Sequence, residues 1–131
     1  MIKKDYDFAP ETLGEHIRKR RLVLGLNQRE MSERLGVNTS TVLNWEKGYT
    51  EPLVEDMRGI IQFLEYYPFP EPETVGERMI AKRRYMGWTI KKAAEALGVD
   101  ESTWGEWERN GKVAWARYQK LLDNFLHSHG D

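Results

Sequence analysis

The chain repeats itself. Displaced by 62 positions and without a gap, Thr12 falls on Thr74, Gly14 on Gly76, Glu15 on Glu77, Arg21 on Arg83 and Gly25 on Gly87. The register holds further along. Glu33 matches Glu95, Leu35-Gly36-Val37 matches Leu97-Gly98-Val99, Ser40-Thr41 matches Ser102-Thr103, and Trp45-Glu46 matches Trp107-Glu108. An ungapped self-match of this kind argues for one small unit made twice. The 131 residues leave room for one ordinary domain or two very small ones, and the repeat favours two.

Within the first copy, residues 27–48 read as helix, tight turn, helix. Asn27 caps the first helix and Glu30 completes the capping box three residues on. Met31 and Leu35, four apart, mark its buried stripe. Gly36 ends it, being able to take left-handed backbone angles. Val37 turns inward and Asn38 caps the second helix. On that helix Val42 and Trp45 face a core, which leaves Thr39, Ser40, Thr41, Asn44 and Lys47 outside. A short helix with a small, polar outer face suits entry into a major groove.

The flanking segments follow from the same signals. Residues 1–11 lack periodicity and are expected to form a loose arm. Thr12 and Glu15 open a helix with a second capping box; Leu13, Ile17 and Leu24 mark its inner side, and Gly25 closes it. Leu53 to Glu65 reads as a helix with Met57, Ile60, Ile61 and Leu64 apolar. Residues 66–73 carry three prolines in five positions and cannot be helical throughout. Such a segment acts as a semi-rigid spacer of ~3.1 Å per residue, so it spans at most about 25 Å. The second copy predicts helices near 75–86, 90–97, 101–109 and 113–127. No strand-like alternation occurs. The expected domain plan is an arm at 1–11, a first domain at 12–65, a linker at 66–73, a second domain at 74–127 and a tail at 128–131.

Hydrophobic residues make up 40%, enough for modest cores anchored by five Trp. Charge is balanced, 20 basic against 21 acidic residues, for a net charge of −1. Nucleic-acid-binding domains are usually basic, so local patches must supply what the net charge does not. There is no cysteine, which excludes disulfides and thiolate metal sites. No long apolar run or signal-peptide pattern is present, so a cytoplasmic protein without membrane contact is expected. His127-Ser128-His129 lacks a third ligand nearby and reads as a tail rather than a metal site. No Ser/His/Asp set, P-loop or ligand cluster appears, so neither catalysis nor a cofactor is expected.

Residues 13–64 resemble the Xre family of helix-turn-helix proteins, which have the lambda-repressor-like DNA-binding fold. The resemblance rests on the run from Ile17 to Gln28, Leu35-Gly36-Val37, Trp45-Glu46-Lys47-Gly48 and Pro52. Residues 75–125 are similar but more diverged. The resemblance implies an all-α chain with two lambda-repressor-like helix-turn-helix bundles in tandem, a recurrent bacterial arrangement. It further implies that the third helix of a bundle reads double-stranded DNA.

On this basis Gln28 donates to a phosphate while its helix N-terminus faces the backbone. Its plainer role is an exposed helix-start residue. Thr39, Ser40, Thr41 and Asn44 are candidate base readers, with Asn38 and Lys47 beside them; Asn suits adenine N6 and N7. Arg29, with Arg18, Lys19 and Arg20, forms either a phosphate-facing rim or a solvated face. In the family fold Arg21 and Glu46 approach each other, so they are read as a structural ion pair, as are Arg83 and Glu108. Trp45 and Trp107 are read as core rather than as stacking platforms for single-stranded bases.

The second copy keeps Lys91, Ser102 and Thr103 as candidate DNA contacts, with Lys92, Arg109 and Lys112 as further positive charge. Three replacements weaken that reading: Ile90 for Gln28, Glu101 for Thr39 and Glu106 for Asn44. Carboxylates repel phosphates and accept only from donors such as cytosine N4. Gly105 in place of Leu43 weakens that helix by about 1 kcal/mol relative to Ala. The expected function is sequence-specific binding of double-stranded DNA by a nucleoid-associated regulator. The rival is a protein-interaction module of antitoxin or anti-activator type, in which the second copy binds a protein partner. A homodimer is also open.

Overall fold

The computed structural model of the protein describes residues 7–111 and 116–128. Among the described residues there are eight helices and no strand. They are α1 (Leu13–Val23), α2 (Gln28–Leu35), α3 (Thr39–Lys47), α4 (Val54–Leu64), α5 (Val75–Met86), α6 (Ile90–Leu97), α7 (Glu101–Asn110) and α8 (Ala116–His127). The chain is all-α. Residues 1–6 of the expected arm, Lys112, residues 113–115 of the expected last helix, and residues 129–131 of the tail, His129 among them, lie outside the described residues.

Capping chemistry sets most of these boundaries. The Asn27 side chain accepts the Glu30 N–H at 2.7 Å, and the Glu30 carboxylate accepts the Asn27 N–H at 3.0 Å. Thr74 and Glu77 make the same reciprocal pair at 3.0 and 3.1 Å. Hydrogen bonds from the Thr74 and Glu73 N–H groups hold the Glu77 carboxyl below its ordinary range. The box expected at Thr12 is half made. Thr12 accepts the Glu15 N–H at 3.1 Å, but its own hydroxyl donates to the Glu15 carboxylate at 3.3 Å.

Asn38 departs from expectation. It holds the extended N-cap backbone without a side-chain cap hydrogen bond. Its carbonyl takes the Thr41 N–H at 3.0 Å and the Val42 N–H at 3.3 Å. The tightened first turn thus serves the Thr41 donor through the backbone.

Contacts divide the chain into two compact units. One is Met1–Leu53 with Gly59–Pro70; the other is Val54–Arg58 with Glu71–Asp131. The division runs through α4 as well as through the proline-rich stretch.

In the first unit α3 packs against both α1 and α2. Ile17, Met31, Val42, Trp45, Ile60 and Leu64 are buried. Leu24, expected on the inner side of α1, is exposed. The helix closes at Val23 and Leu24 is its C-cap, so the helical period no longer carries it inward. The described end of the arm is fastened. Lys19 Nζ donates to the Phe8 carbonyl at 2.7 Å, and the Arg18 guanidinium lies 5.5 Å from the Phe8 ring centre.

The start of the expected spacer is tied down as well. Tyr66 Oη lies 2.6 Å from His16 Nδ1, and Tyr67 and Phe69 meet ring to ring at 5.2 Å. Burial lowers the His16 pKa and raises that of Tyr66. Arg20 donates to the Phe63 carbonyl at 3.0 Å and to the Glu65 carboxylate at 2.9 Å.

In the second unit α7 packs against α5 and α6, and α8 packs against α5. Met79, Met86, Ala93, Ala94, Trp104, Trp107, Leu122 and Phe125 form its core. Trp104 is wholly buried and meets Phe125 edge to face at 5.4 Å.

Candidate nucleic-acid interface

The outward face of α3 depends on what holds its inward face. Val42 and Trp45 are buried, so Trp45 is core rather than a platform for bases. Gly14 is what lets α1 approach: a Cβ there would collide with the Trp45 carbonyl oxygen. Gly76 plays the same part in the second unit, against the Glu108 carbonyl oxygen. The turn from α2 into α3 pivots on Gly36, whose φ of 70° and ψ of 31° lie in the left-handed region.

A buried ion pair locks the end of α3 to α1. Arg21 Nε and Nη2 donate to the two Glu46 carboxylate oxygens at 2.7 and 2.9 Å, while Nη1 donates to the Leu26 carbonyl at 2.9 Å. Their side chains are only 11% and 3% exposed, so neither reaches a ligand. Gln28, expected at a phosphate, turns its amide to Glu46 at 3.3 Å.

The second unit repeats the lock with another third donor. Arg83 holds Glu108 at 2.6 and 3.0 Å and the Trp88 carbonyl at 3.1 Å. The position of Gln28 is Ile90 here, which cannot donate. The Trp104 indole N–H donates to Glu108 at 2.6 Å in its place. Trp104 occupies the position of Val42, so the donor comes from α7 rather than α6.

Thr39, Ser40 and Lys47 are exposed on α3, while Thr41 and Asn44 are half-buried. Asn38, just before the helix, is exposed. Thr39 is not independent: its hydroxyl lies 3.2 Å from the hydroxyl of Ser32 on α2. Ser32 is itself buried and donates to the Arg29 carbonyl at 2.6 Å. The sequence reading passed over Ser32. Its signal was weak, a serine beside Met31 on an otherwise amphipathic helix.

The basic rim is partly occupied. Arg29 forms a loose pair with Glu33 at 3.9 Å and stays exposed, as Arg18 does. Lys19 and Arg20 are engaged with Phe8, Phe63 and Glu65. The loop beyond α3 exposes Tyr49, Thr50 and Glu51, which offers no added positive charge.

On the second unit Glu101, Ser102 and Glu106 are exposed and Thr103 is half-buried on α7. Lys91, Lys92 and Arg109 are exposed, with Lys92 Nζ 5.3 Å from the Trp88 ring centre. Among the described residues no group of three or more His, Cys, Asp or Glu could hold a metal ion. His127 Nδ1 instead lies 2.7 Å from the Asp123 carbonyl. No described helix is long and apolar enough to cross a membrane.

Comparison with known proteins agrees with this geometry. Residues 17–71 match the family model for helix-turn-helix. That stretch contains α2, α3 and α4 and most of α1. The chain is also similar to type II methyltransferase M.SsoII of Shigella sonnei. Identity is 26% over 102 residues, covering 76% of this chain and 27% of that protein. The chain thus spans about a quarter of the length of that curated relative. No solved structure matches the chain.

Proposed function

We propose that the first unit binds double-stranded DNA sequence-specifically and acts as a transcriptional regulator, with α3 in the major groove. One observation carries the reading. In a stretch that matches the helix-turn-helix model, α3 is clamped from behind by Trp45 and the Arg21–Glu46 pair while Thr39, Ser40 and Lys47 face outward. Thr39, Ser40, Thr41 and Asn44 read base edges, with Asn38 and Lys47 at the margins and Arg29 on a phosphate. Gln28 serves mainly to buttress Glu46, and reaches a phosphate only by releasing it. No catalytic role is part of this proposal: the methyltransferase likeness covers about a quarter of that enzyme.

The second unit is a diverged copy of the first on this reading, and its acidic α7 favours a weaker role on DNA. Glu101 and Glu106, both exposed, favour a basic protein partner as the alternative for that unit. If Lys91, Ser102 and Thr103 do touch DNA, two units on one chain raise each other's effective concentration at the site. A cytoplasmic, nucleoid-associated location follows from the same proposal.

Selection of bound fragments from random duplexes, followed by a salt titration on the selected site, tests the reading. The logarithm of affinity should fall with the logarithm of salt at about −0.9 per phosphate contacted. Asn44→Ala should weaken the selected site by about 1–3 kcal/mol and random duplex far less. No binding to any duplex at low ionic strength, or a slope near zero, would overturn the proposal.

A further inference from the structure

The hydroxyl of Thr39 has a fixed polarity, and this determines which base it can meet. Ser32 Oγ lies 2.6 Å from the Arg29 carbonyl oxygen. A carbonyl only accepts, so the single hydroxyl proton of Ser32 is committed there. Ser32 Oγ and Thr39 Oγ1 are 3.2 Å apart, within reach of a hydrogen bond that either could donate. With the Ser32 proton spent, the donor is Thr39. Thr39 therefore keeps no proton for a ligand. What it turns outward is lone pairs alone.

We infer that Thr39 is a specificity-determining residue acting as an obligate acceptor, and that Ser32, from behind, makes it one. The inference rests on the DNA-binding reading above and names the base chemistry that reading leaves open. An acceptor cannot bond a phosphate oxygen, so Thr39 does not serve as a backbone contact. In the major groove the edge donors are adenine N6 and cytosine N4; guanine offers N7 and O6, and thymine O4, all acceptors. Each base pair carries one such donor, so Thr39 does not separate A·T from G·C. It selects orientation, an amino-bearing A or C on the strand it faces against G or T. Unaided, a threonine hydroxyl rotates to donate or accept and makes no such choice. The lock turns an indifferent side chain into a selective one.

The second unit lacks this device at the equivalent position. Glu101 replaces Thr39 and Ala94 replaces Ser32, so a carboxylate supplies an acceptor directly.

The experiment uses the full chain and three variants, each put through selection on random duplex pools. Thr39→Ala identifies the base pair that Thr39 faces, as the position whose preference collapses. In the parent protein that position should favour A or C on one strand over G or T by roughly three- to tenfold, the worth of one hydrogen bond. Ser32→Ala frees the Thr39 proton and should bring the preference to within about twofold while overall affinity is kept. Thr39→Val, which removes the hydroxyl and leaves the Ser32 bond to the Arg29 carbonyl in place, should abolish the preference whatever Ser32→Ala does to the fold. A parent preference for G or T at that position would overturn the inference and leave DNA binding standing. So would a Ser32→Ala protein that melts like the parent and keeps the full preference. A parent protein that selects no sequence would overturn both.

Discussion

Truncating Arg21 should cost the first unit far more than a surface arginine would. The side chain donates three hydrogen bonds, two to Glu46 and one to the Leu26 carbonyl. Glu46 is 3% exposed, so Arg21→Ala leaves a carboxylate in the interior. The donor that remains is the Gln28 amide at 3.3 Å. Removing one partner of a buried pair costs about 3–5 kcal/mol. For a small unit each 1 kcal/mol moves the melting temperature by about 4–8 °C, so a fall of at least ~12 °C is expected.

Unfolding of two units need not coincide, which makes a single melting curve ambiguous. Hydrogen exchange resolves this, because the amides of α1 and α3 report the first unit and those of α5 and α7 serve as an internal control. Arg21→Ala should speed exchange in α1 and α3 alone. The double variant R21M/E46L removes both charges and fills the space with apolar atoms. It should recover to within about 1 kcal/mol of the parent, since well-packed apolar replacements of buried pairs are often neutral. The reasoning is refuted if Arg21→Ala loses less than about 1 kcal/mol, or if the double variant is damaged as badly as the single one.

Other expectations can be checked with the same equipment. Gly14→Ala and Gly76→Ala each push a methyl group into a backbone carbonyl, of Trp45 and Glu108 respectively, and should destabilise their own unit by at least ~2 kcal/mol in denaturant titration. Glu65 closes α4 at a φ of 67°, where glycine is at ease, and its bond to Arg20 is largely exposed. Glu65→Gly should therefore be neutral or stabilising by up to about 1 kcal/mol; a clear loss would show that the Arg20 contact outweighs the backbone strain. Burial lowers the His16 pKa, so the unfolded chain takes up this proton more readily than the folded one. The contribution is complete above the ordinary value of about 6.5 and is lost as pH falls through the folded value. His16→Gln should flatten part of the acid-side decline in stability; a decline identical to the parent's would remove His16 as its source.

Much of the framework was readable from the residues because it is written in local chemistry. Asn27 with Glu30, Thr74 with Glu77, and Gly36, Gly87 and Gly98 act within a turn of themselves, and the helices begin and end at them. The inward side of α3 was equally plain, since Val42 and Trp45 are placed by helical period alone. What stayed hidden depends on partners far along the chain. Leu24 fits the helical period, but its helix stops first. Phe8 and Tyr66 look like free segments until Lys19 and His16 are brought to them by folding. Gln28 is at a helix start that suits a phosphate, yet an anionic oxygen of its own chain lies nearer, 18 residues on. The face proposed for DNA was legible as a set of residue types, while the direction of the Thr39 proton needed the coordinates of Ser32.

The two solutions for satisfying the buried glutamate bear on any attempt to recombine these units. Glutamine with valine and isoleucine with tryptophan are alternative ways of giving that glutamate a third donor. A chimera taking isoleucine at 28 without tryptophan at 42 leaves Glu46 with its two Arg21 bonds and no third donor. One taking the indole without remodelled surroundings crowds the space cut for Val42. Libraries built on this scaffold should therefore vary 28 and 42 jointly, as a two-letter word rather than two letters.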